Sequence, residues 1–344
     1  MGPATLSGTL PKSNHHRASA LALGGNPRSA ALLSSHPASG GDDPNGEHDH
    51  QLSNSGFTHP DHVIPSPTFN GIVNLVIVCC HAIFHPSPTL ANFPLHSPQE
   101  ESNWHLAPFQ KSVPQTGKPG EHETFLAHIW AGIDTVTSGP WAGNSLLVFS
   151  GGATKQDLTD VSEARSYYHA ALAQTLAQNH KYSGLVQTLF KRNRLLLEEH
   201  ATDSFQNLLF SILLFKKTTG IYPTQIRIVT HAFKSKRFLE LHAPAIGWPL
   251  DRIRVCGIDP VMSAREYEDT VKGEEKYGYT PWVEDPLGTG EVLDRKRRQR
   301  GWDEDTVDRL IQDVEDVSVR TLLTGSHVNI LPWSNAAASA SSSQ

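Results

Sequence analysis

The sequence contains few cysteines and no long apolar run, and both shortages restrict the class of protein. The three cysteines among 344 residues are Cys79, Cys80 and Cys256, each in an apolar run. Neighbouring cysteines rarely bridge and buried thiols behave as small apolar groups, so a reducing compartment is expected. The longest apolar stretch, residues 72–84, is interrupted by polar residues and is shorter than the roughly 20 residues that cross a membrane. No apolar segment typical of a secretory signal follows Met1, and we expect no membrane partner.

Several signatures of catalysis and metal binding are also missing. The glycines after Ser150 are not followed by Gly-Lys-Ser/Thr at the spacing of a P-loop, and no Gly-x-Ser-x-Gly motif of esterases occurs. The first apolar run ends in Cys80 and His81 rather than in the glycines of a dinucleotide-binding fingerprint. His81 and His85 follow a strand, where a spacing of four does not ensure that their side chains meet. Without a metal-binding cysteine pair or His-Glu-x-x-His, we expect no metal site.

The charge of the chain gives no general attraction to nucleic acid. The formal net charge is −6, and only a local patch could bind a polyanion. Residues 295–300 form a basic run with the composition of a nuclear signal or a phosphate-binding patch. Asp303, Glu304 and Asp305 follow it directly, so we interpret the run as a self-neutralising solvated surface. Nucleic acid is therefore not an expected partner.

Composition divides the chain into one predicted domain and two tails. Residues 1–68 and 334–344 lack apolar periodicity and have the composition of disordered segments. Residues 69–333 suit a single α/β domain with a Pro-rich insertion near 85–120 and a helical C-terminal extension from 261. Residues 1–41 contain basic residues and many serines but no acid, which resembles a mitochondrial transit segment. We expect a cytoplasmic location, with the mitochondrion as the alternative.

Apolar runs and helical periods alternate through this domain. Buried strands are predicted at residues 73–80, 145–150, 194–198, 226–230 and 253–258, with helices at 121–137 and 203–217, after 160 and after 230. Alternation of this kind predicts a Rossmann-like three-layer α/β domain, with a mainly parallel sheet and helices on both faces. Trp282, Trp302 and Leu310 are expected to dock the C-terminal extension. Ligands of such sheets bind at the carboxyl ends of the strands.

A basic cluster at one predicted strand end is the best indication of a ligand. Lys234, Lys236 and Arg237 open the helix that follows strand 226–230. Cations in the first turn face the positive end of the helix dipole, at a cost of about 0.3–1 kcal/mol each. A bound anion would reverse this effect, since backbone amides and side-chain cations would converge on it. The cluster therefore predicts a site for a small anionic molecule.

Polar residues at the other strand ends complete the predicted site. Gly151 and Gly152 follow Ser150 in a turn that would let a ligand approach the backbone, although a tight βα turn alone has the same sequence. Ser150 and Thr230 would add hydroxyl contacts.

Three further residues have a functional and a structural interpretation. Asp160-Val161-Ser162-Glu163 fits a helix capping box, so Glu163 is either a cap or a catalytic carboxylate. Asp203 is either a helix-start stabiliser or a catalytic base. Asn207 either contacts the ligand or holds a neighbouring loop.

These motifs together resemble the domain of unknown function 218 family, the SanA/ElyC/YdcF type, in a eukaryotic soluble branch. The resemblance spans residues 75–259 and is carried by three segments in the family's order: 150–152 with 162–164, 198–207, and 229–237. Two departures are clear. Lys234 stands where the family has histidine, and Cys80 and His81 stand where its first-strand glycines lie.

The resemblance implies a Rossmann-like domain with a polar pocket, and S-adenosylmethionine as a possible cofactor or ligand. Family members with envelope roles carry a membrane anchor, so that role is not transferred. Our leading hypothesis is a protein that binds a small anionic, nucleotide-like ligand. Any catalysis would be that of a hydrolase or transferase, with Glu163 or Asp203 as the base. The alternative is a non-catalytic interaction protein with a vestigial pocket. No protein partner can be named from the sequence.

Overall fold

The computed structural model of the protein describes residues 68–85, 96–177 and 184–334, all of which belong to one compact unit. The predicted disordered segments 1–68 and 334–344 lie outside the described residues, apart from Thr68 and Ser334. The segment with transit-like composition, 1–41, and residues 86–95 of the Pro-rich insertion also lie outside them.

A five-stranded parallel sheet forms the centre of the fold, in the spatial order β5-β4-β1-β6-β7. Its strands are β1 Asn74–Cys79, β4 Ser145–Ser150, β5 Leu195–Glu198, β6 Gln225–Thr230 and β7 Ile253–Gly257. β1 is central and pairs in parallel with β4 on one side and with β6 on the other. Every residue of β1 and β4 is buried, as expected for strands covered on both faces. All five predicted strands are thus confirmed within two residues at each end.

Helices cover both faces of the sheet, which confirms the predicted three-layer Rossmann-like architecture. One face carries α1 His122–Thr137, α2 Glu163–Ala177 and α3 Leu185–Lys191, packed on one set of β1 side chains, Val76 and Val78 among them. The other face carries α4 Ser204–Thr219 and α5, the helical segment 232–245, which we call the basic helix. These pack on the alternate set of β1 side chains, which includes Leu75 and Ile77.

The helices change face between β1 and β6. α1 and α2 follow β1 and β4 on one side, whereas the basic helix follows β6 on the other side. The carboxyl ends of β1 and β6 therefore border a topological switch point, where crevices form in sheets of this type.

The C-terminal extension packs on the outer surface of α4. Its helical segments are α6 Ala264–Glu274, a π-helical turn Glu275–Tyr279, α7 Thr280–Glu284, α8 Glu291–Arg298, α9 Asp305–Gln312 and α10 Val317–Leu323. Trp282 is buried, and Trp302 and Leu310 pack partly buried against the same core, so the predicted docking residues are confirmed. Because this layer covers it, α4 is apolar on most of its circumference, with Phe205 to Leu213 buried throughout.

The described part of the Pro-rich insertion is attached to the core. A short antiparallel ribbon pairs β2 Ile83–Phe84 with β3 Trp104–His105, and Trp104 is buried. Gln110 donates a hydrogen bond from Nε2 to the carbonyl of His81 at 3.2 Å. The insertion thus reaches the carboxyl end of β1. No helix among the described residues is long and apolar enough to cross a membrane.

Candidate functional site

A cluster of polar side chains lies at the carboxyl ends of β1 and β6, at the topological switch point where crevices form in sheets of this type. The imidazole of His81, just after β1, lies with Nε2 3.2 Å from Thr230 Oγ1 and with Nδ1 3.3 Å from Lys234 Nζ. An ammonium group only donates, so Nδ1 must accept from Lys234 and Nε2 carries the proton that is donated to Thr230. The structure thus brings the predicted residues Thr230 and Lys234 together through His81, which the sequence analysis had not included in the ligand site.

Three histidine rings belong to this cluster. His81 stacks on His231 with ring centroids 4.5 Å apart, and His128 meets His231 edge to face at 5.0 Å. His128 donates from Nε2 to the carbonyl of Ile258 at 2.9 Å, whereas neither ring nitrogen of His231 has a hydrogen-bond partner in the described part of the chain. Within the described residues, no group of three or more metal-binding side chains is arranged to hold a metal ion.

The histidine cluster is electrically neutral. Burial first, and the nearby charge of Lys234 second, hold the pKa values of His81 and His231 well below the usual value of histidine. Burial likewise lowers the pKa of His128 to about 4. Glu121 lies 3.9 Å from Nε2 of His231, and burial raises the pKa of this carboxyl group. The cluster therefore brings no positive charge of its own to the crevice.

Lys234 is an unusual lysine. It is half-buried, and it forms no ion pair with any carboxylate in the described ranges. Burial first and the charge of Arg237 second lower its pKa from 10.5 to about 8, against the opposing effects of Glu274 and Glu121. The amine is thus still mostly charged at neutral pH, at a substantial cost in free energy.

Arg237 is already neutralised by the protein. Its Nε lies 3.2 Å from Glu274 Oε1, and its Nη1 donates to the carbonyl of Gly278 at 3.2 Å. Both side chains of the pair are nearly buried, with 12% and 13% of their surface exposed. The expectation that only a guest anion could compensate Arg237 is therefore wrong, because a carboxylate from the C-terminal extension provides the counter-charge.

The positive end of the basic-helix dipole is also partly compensated by a carboxylate of the protein. The first-turn amide of Phe233 donates to Asp259 Oδ1 at 3.2 Å, so a carboxylate that follows β7 occupies one of the free N–H groups. Lys236 points to the surface, where it lies 3.9 Å from Glu240 and over the ring of Tyr279. Of the three cations in the cluster, Lys234 alone has no carboxylate partner among the described residues, as the sequence had suggested.

The glycine turn after β4 is structural in its hydrogen bonding. Gly151 N donates to the carbonyl of Glu198 at 3.0 Å, and Gly152 N donates to the carbonyl of Ala201 at 2.6 Å. These amides are occupied by protein carbonyls, which corrects the expectation that they would face a ligand. A Cβ atom at Gly151 would lie 2.9 Å from Glu163 Cβ, so glycine is required here for close packing.

Ser150 and Asn207 belong to a buried network around Glu198. The Ser150 hydroxyl donates to Glu198 Oε2 at 2.6 Å, and Asn207 Nδ2 donates to the Ser150 hydroxyl and carbonyl oxygens at 2.8 and 2.9 Å. The other Glu198 oxygen accepts from the amides of His200 and Ala201. Burial raises the pKa of Glu198 to about 7 despite these donors. Asn207 therefore ties β4 to α4, the structural alternative that the sequence left open.

The two candidate catalytic carboxylates have different surroundings. Asp203 is the N-cap of α4 and accepts from Gln206 N at 2.9 Å, while its other oxygen lies 2.6 Å from Arg297 Nε. With both oxygens engaged, Asp203 is poorly placed to remove a proton from a substrate. Glu163 is the better candidate, because a single hydroxyl, that of Thr154, donates to its carboxyl group and burial raises its pKa.

The predicted capping box at the start of α2 is wrong. The helix begins at Glu163, and the hydroxyl of Ser162 accepts from Arg165 N at 3.0 Å. Ser162 is therefore the cap, and Asp160 lies outside the helix. The carboxyl group of Glu163 turns to Thr154 and is not used in capping.

The basic run 295–300 is only partly the solvated surface that was expected. Arg298 and Arg295 pair with carboxylates at the surface. Arg297 instead is buried against Asp203, and Arg300 donates to the carbonyl of Thr202 at 2.7 Å. These two guanidinium groups hold the start of α4.

Sequence reasoning missed four contributors to the site: His128, His231, Glu121 and Glu274. His231 immediately follows Thr230 at a strand end, which was a usable signal. Glu274 lies far along the chain in a charged helix, and no motif distinguishes it from its neighbours.

The fold and the crevice together define a Rossmann-like α/β protein with a polar site at its sheet edge. No protein-family model matches the chain, and no solved structure matches it. The chain is similar to Uncharacterized protein YOR238W from Saccharomyces cerevisiae, with 29% identity over 260 residues. That similarity covers 66% of this chain and 83% of the yeast protein. The name of the yeast protein states no activity.

Proposed function

We propose that the protein binds a small anionic, nucleotide-like ligand in the crevice between the carboxyl ends of β1 and β6. The observation that supports this proposal is the half-buried ammonium group of Lys234, which no carboxylate in the described ranges pairs. An anionic group beside Lys234 would form a charge-assisted hydrogen bond and offset the cost of its burial. The imidazole of His81 contacts both Lys234 and the hydroxyl of Thr230, so the ligand would adjoin this hydrogen-bonded chain.

Arg237 would be a second contact for the ligand, in exchange for its contact with Glu274. The ligand would compete with Glu274 for the guanidinium group, so Glu274 acts as a resident counter-ion. α6, which carries this carboxylate at its end, has no buried residue. Its attachment is polar: Thr116 Oγ1 donates to Glu266 at 3.0 Å. A displacement of α6 would therefore expose little apolar surface.

We further propose that a reaction at this site would be hydrolysis or group transfer. Glu163 is the preferred acid or base for hydrolysis or group transfer, because burial raises the pKa of its carboxyl group and its hydrogen bond in the described structure comes from the hydroxyl of Thr154. S-adenosylmethionine remains a candidate ligand through the resemblance to the SanA/ElyC/YdcF family, and its carboxylate would be the group beside Lys234. Membership of that family, and a cytoplasmic or mitochondrial location, are likewise predictions.

A ligand screen with matched variants tests the binding proposal. The full chain is melted with nucleotides, S-adenosylmethionine and phosphorylated metabolites, and hits are titrated by calorimetry. A ligand at 100 times its Kd stabilises the folded state by about 2.7 kcal/mol. Lys234→Met should abolish this stabilisation, whereas Lys236→Met, which changes an exposed lysine of the same helix, should retain it.

Glu274→Gln removes the negative charge that would compete with the ligand, whereas Lys234→Met removes a positive charge that would attract it. The variant should be less stable without ligand, by up to about 3 kcal/mol, because Arg237 loses its carboxylate. It should bind an anionic hit about tenfold more tightly, because the competing charge is gone. Equal affinities in wild type, Lys234→Met and Glu274→Gln would place the ligand elsewhere and refute the proposal.

The alternative, a non-catalytic interaction protein, is favoured by one observation. The C-terminal extension leaves several large apolar side chains exposed, among them Val261, Tyr267, Val271 and Tyr277. Apolar exposure of this kind is typical of protein contact surfaces. If no small molecule in the screen stabilises either the wild type or Glu274→Gln, this alternative replaces the binding proposal.

A further inference from the structure

We infer that Lys234 is a nucleophilic amine that forms an imine with a small aldehyde or ketone carrying an anionic group. The inference extends the proposed function and rests on it, because the anionic group would use the same crevice. Its geometric basis is the position of Nζ, 3.3 Å from the unprotonated Nδ1 of His81 and without a paired carboxylate in the described structure.

The environment of Lys234 favours the neutral amine that this chemistry needs. An ammonium group has no lone pair, so a nucleophilic lysine must lose its proton near working pH. Burial and Arg237 act in that direction, and the pKa of Lys234 falls to about 8. The acidic groups that face it, Glu274, Glu121 and the thiol of Cys79, act in the opposite direction but do not restore the usual value. Desolvation beside a second cation is a recognised way to activate a lysine.

The reaction balances without an oxidant or a reductant. The lone pair of Nζ attacks the carbonyl carbon and forms the C–N bond, while a proton leaves nitrogen and reaches the carbonyl oxygen through Nδ1 of His81. The resulting hydroxyl leaves with the second amine hydrogen as water, and the C=N bond forms. His81 therefore relays a proton between nitrogen and oxygen, at the distance that the structure shows.

The anionic group gives the reaction its selectivity. Arg237 lies three residues after Lys234 in the basic helix, and its charge lowers the pKa of Lys234. A phosphate or carboxylate that displaces Glu274 from Arg237 would hold the carbonyl near Nζ. Carbonyl compounds without a charge lack this contact and should react more slowly.

Reductive trapping on the full chain tests the inference. The protein is incubated with pyridoxal 5′-phosphate, an aldehyde with a phosphate, or with glyoxylate, an aldehyde with a carboxylate, and then reduced with sodium cyanoborohydride. Peptide mass spectrometry measures the adduct at each lysine. We expect Lys234 to react at least about tenfold faster than Lys236 at pH 7, because the lowered pKa of Lys234 leaves more of its amine neutral than in a lysine with the ordinary pKa of 10.5. Acetaldehyde should show a smaller preference for Lys234.

The pH dependence and a variant pair complete the test. In the wild type, the rate at Lys234 should rise up to about pH 8 and level off above it. Lys234→Arg should remove the fast adduct, and Lys236→Arg should keep it. A fast adduct that persists in Lys234→Arg, or a wild-type rate at Lys234 no higher than at Lys236, overturns the inference. Loss of imine formation while anions still stabilise the protein would reject this inference and leave the binding proposal standing.

Discussion

Replacement of Lys234 by methionine should stabilise the protein at neutral pH. The pKa of this amine is about 8 in the folded chain, against 10.5 for a lysine that is fully exposed to water. Below pH 8 both states carry the proton, but the folded state must hold it in a half-buried position. Folding therefore bears a cost that an apolar side chain of similar length does not have.

The size and sign of the effect follow from the two pKa values. At about 1.4 kcal/mol for each pH unit, the drop from 10.5 to about 8 is equivalent to about 3 kcal/mol at pH 7. As the pH rises through 8, folded Lys234 loses its proton before the unfolded chain does, so the wild type gains stability and the cost disappears towards pH 10.5. The advantage of Lys234→Met should fall to roughly 1.4 kcal/mol at about pH 9.5 by the same relation.

Urea unfolding at both pH values, followed by tryptophan fluorescence, measures this change. Packing differences and the lost hydrogen bond to His81 add a contribution that is nearly independent of pH, so the decisive quantity is the change of about 2 kcal/mol between the two conditions. Lys236→Met, at an exposed position, should stay within about 0.5 kcal/mol of the wild type at both. A constant difference for Lys234→Met across this range would refute the account of Lys234.

Three further substitutions probe the framework of the site. Arg297→Ala should destabilise by about 3–5 kcal/mol in chemical denaturation, because Asp203 is left as a nearly buried, unpaired charge. Asn207→Ala should cost about 1–3 kcal/mol in the same assay, since Ser150 loses its buried donor. Gly151→Ala should lower the melting temperature and disturb the turn after β4, because its Cβ would overlap the first side chain of α2.

The sequence predicted the sheet well because its signals are local. Residues 145–150 form an apolar run, and the strand observed there has the same bounds. The helix predicted at 203–217 is observed from Ser204 to Thr219, with Asp203 as its cap. Side-chain periodicity and capping depend on neighbours within a few residues, so they are readable from the chain alone.

The electrostatics of the site could be predicted only in part, because charge compensation is not local. The basic helix lies where it was expected, but Asp259 and Glu274 approach it from later segments. Nothing in the spacing of these acids indicates which cation each one meets. The same reason explains why the basic run at 295–300 was misjudged: burial of Arg297 depends on the packing of α8 against α4.

The ion pair between Arg237 and Glu274 bears directly on whether the crevice binds an anion. A buried ion pair often contributes little to stability compared with apolar residues, although loss of one partner is costly. The carboxylate of this pair lies at the end of α6, a helix that buries no residue of its own. Glu274 lies on a weakly packed helix and pairs with Arg237, while the neighbouring Lys234 has no carboxylate partner among the described residues. This carboxylate is therefore suited to exchange with another anion. On this reasoning, added anion should rescue the stability that Glu274→Gln loses, and a rescue that also requires Lys234 would tie both cations to one ligand.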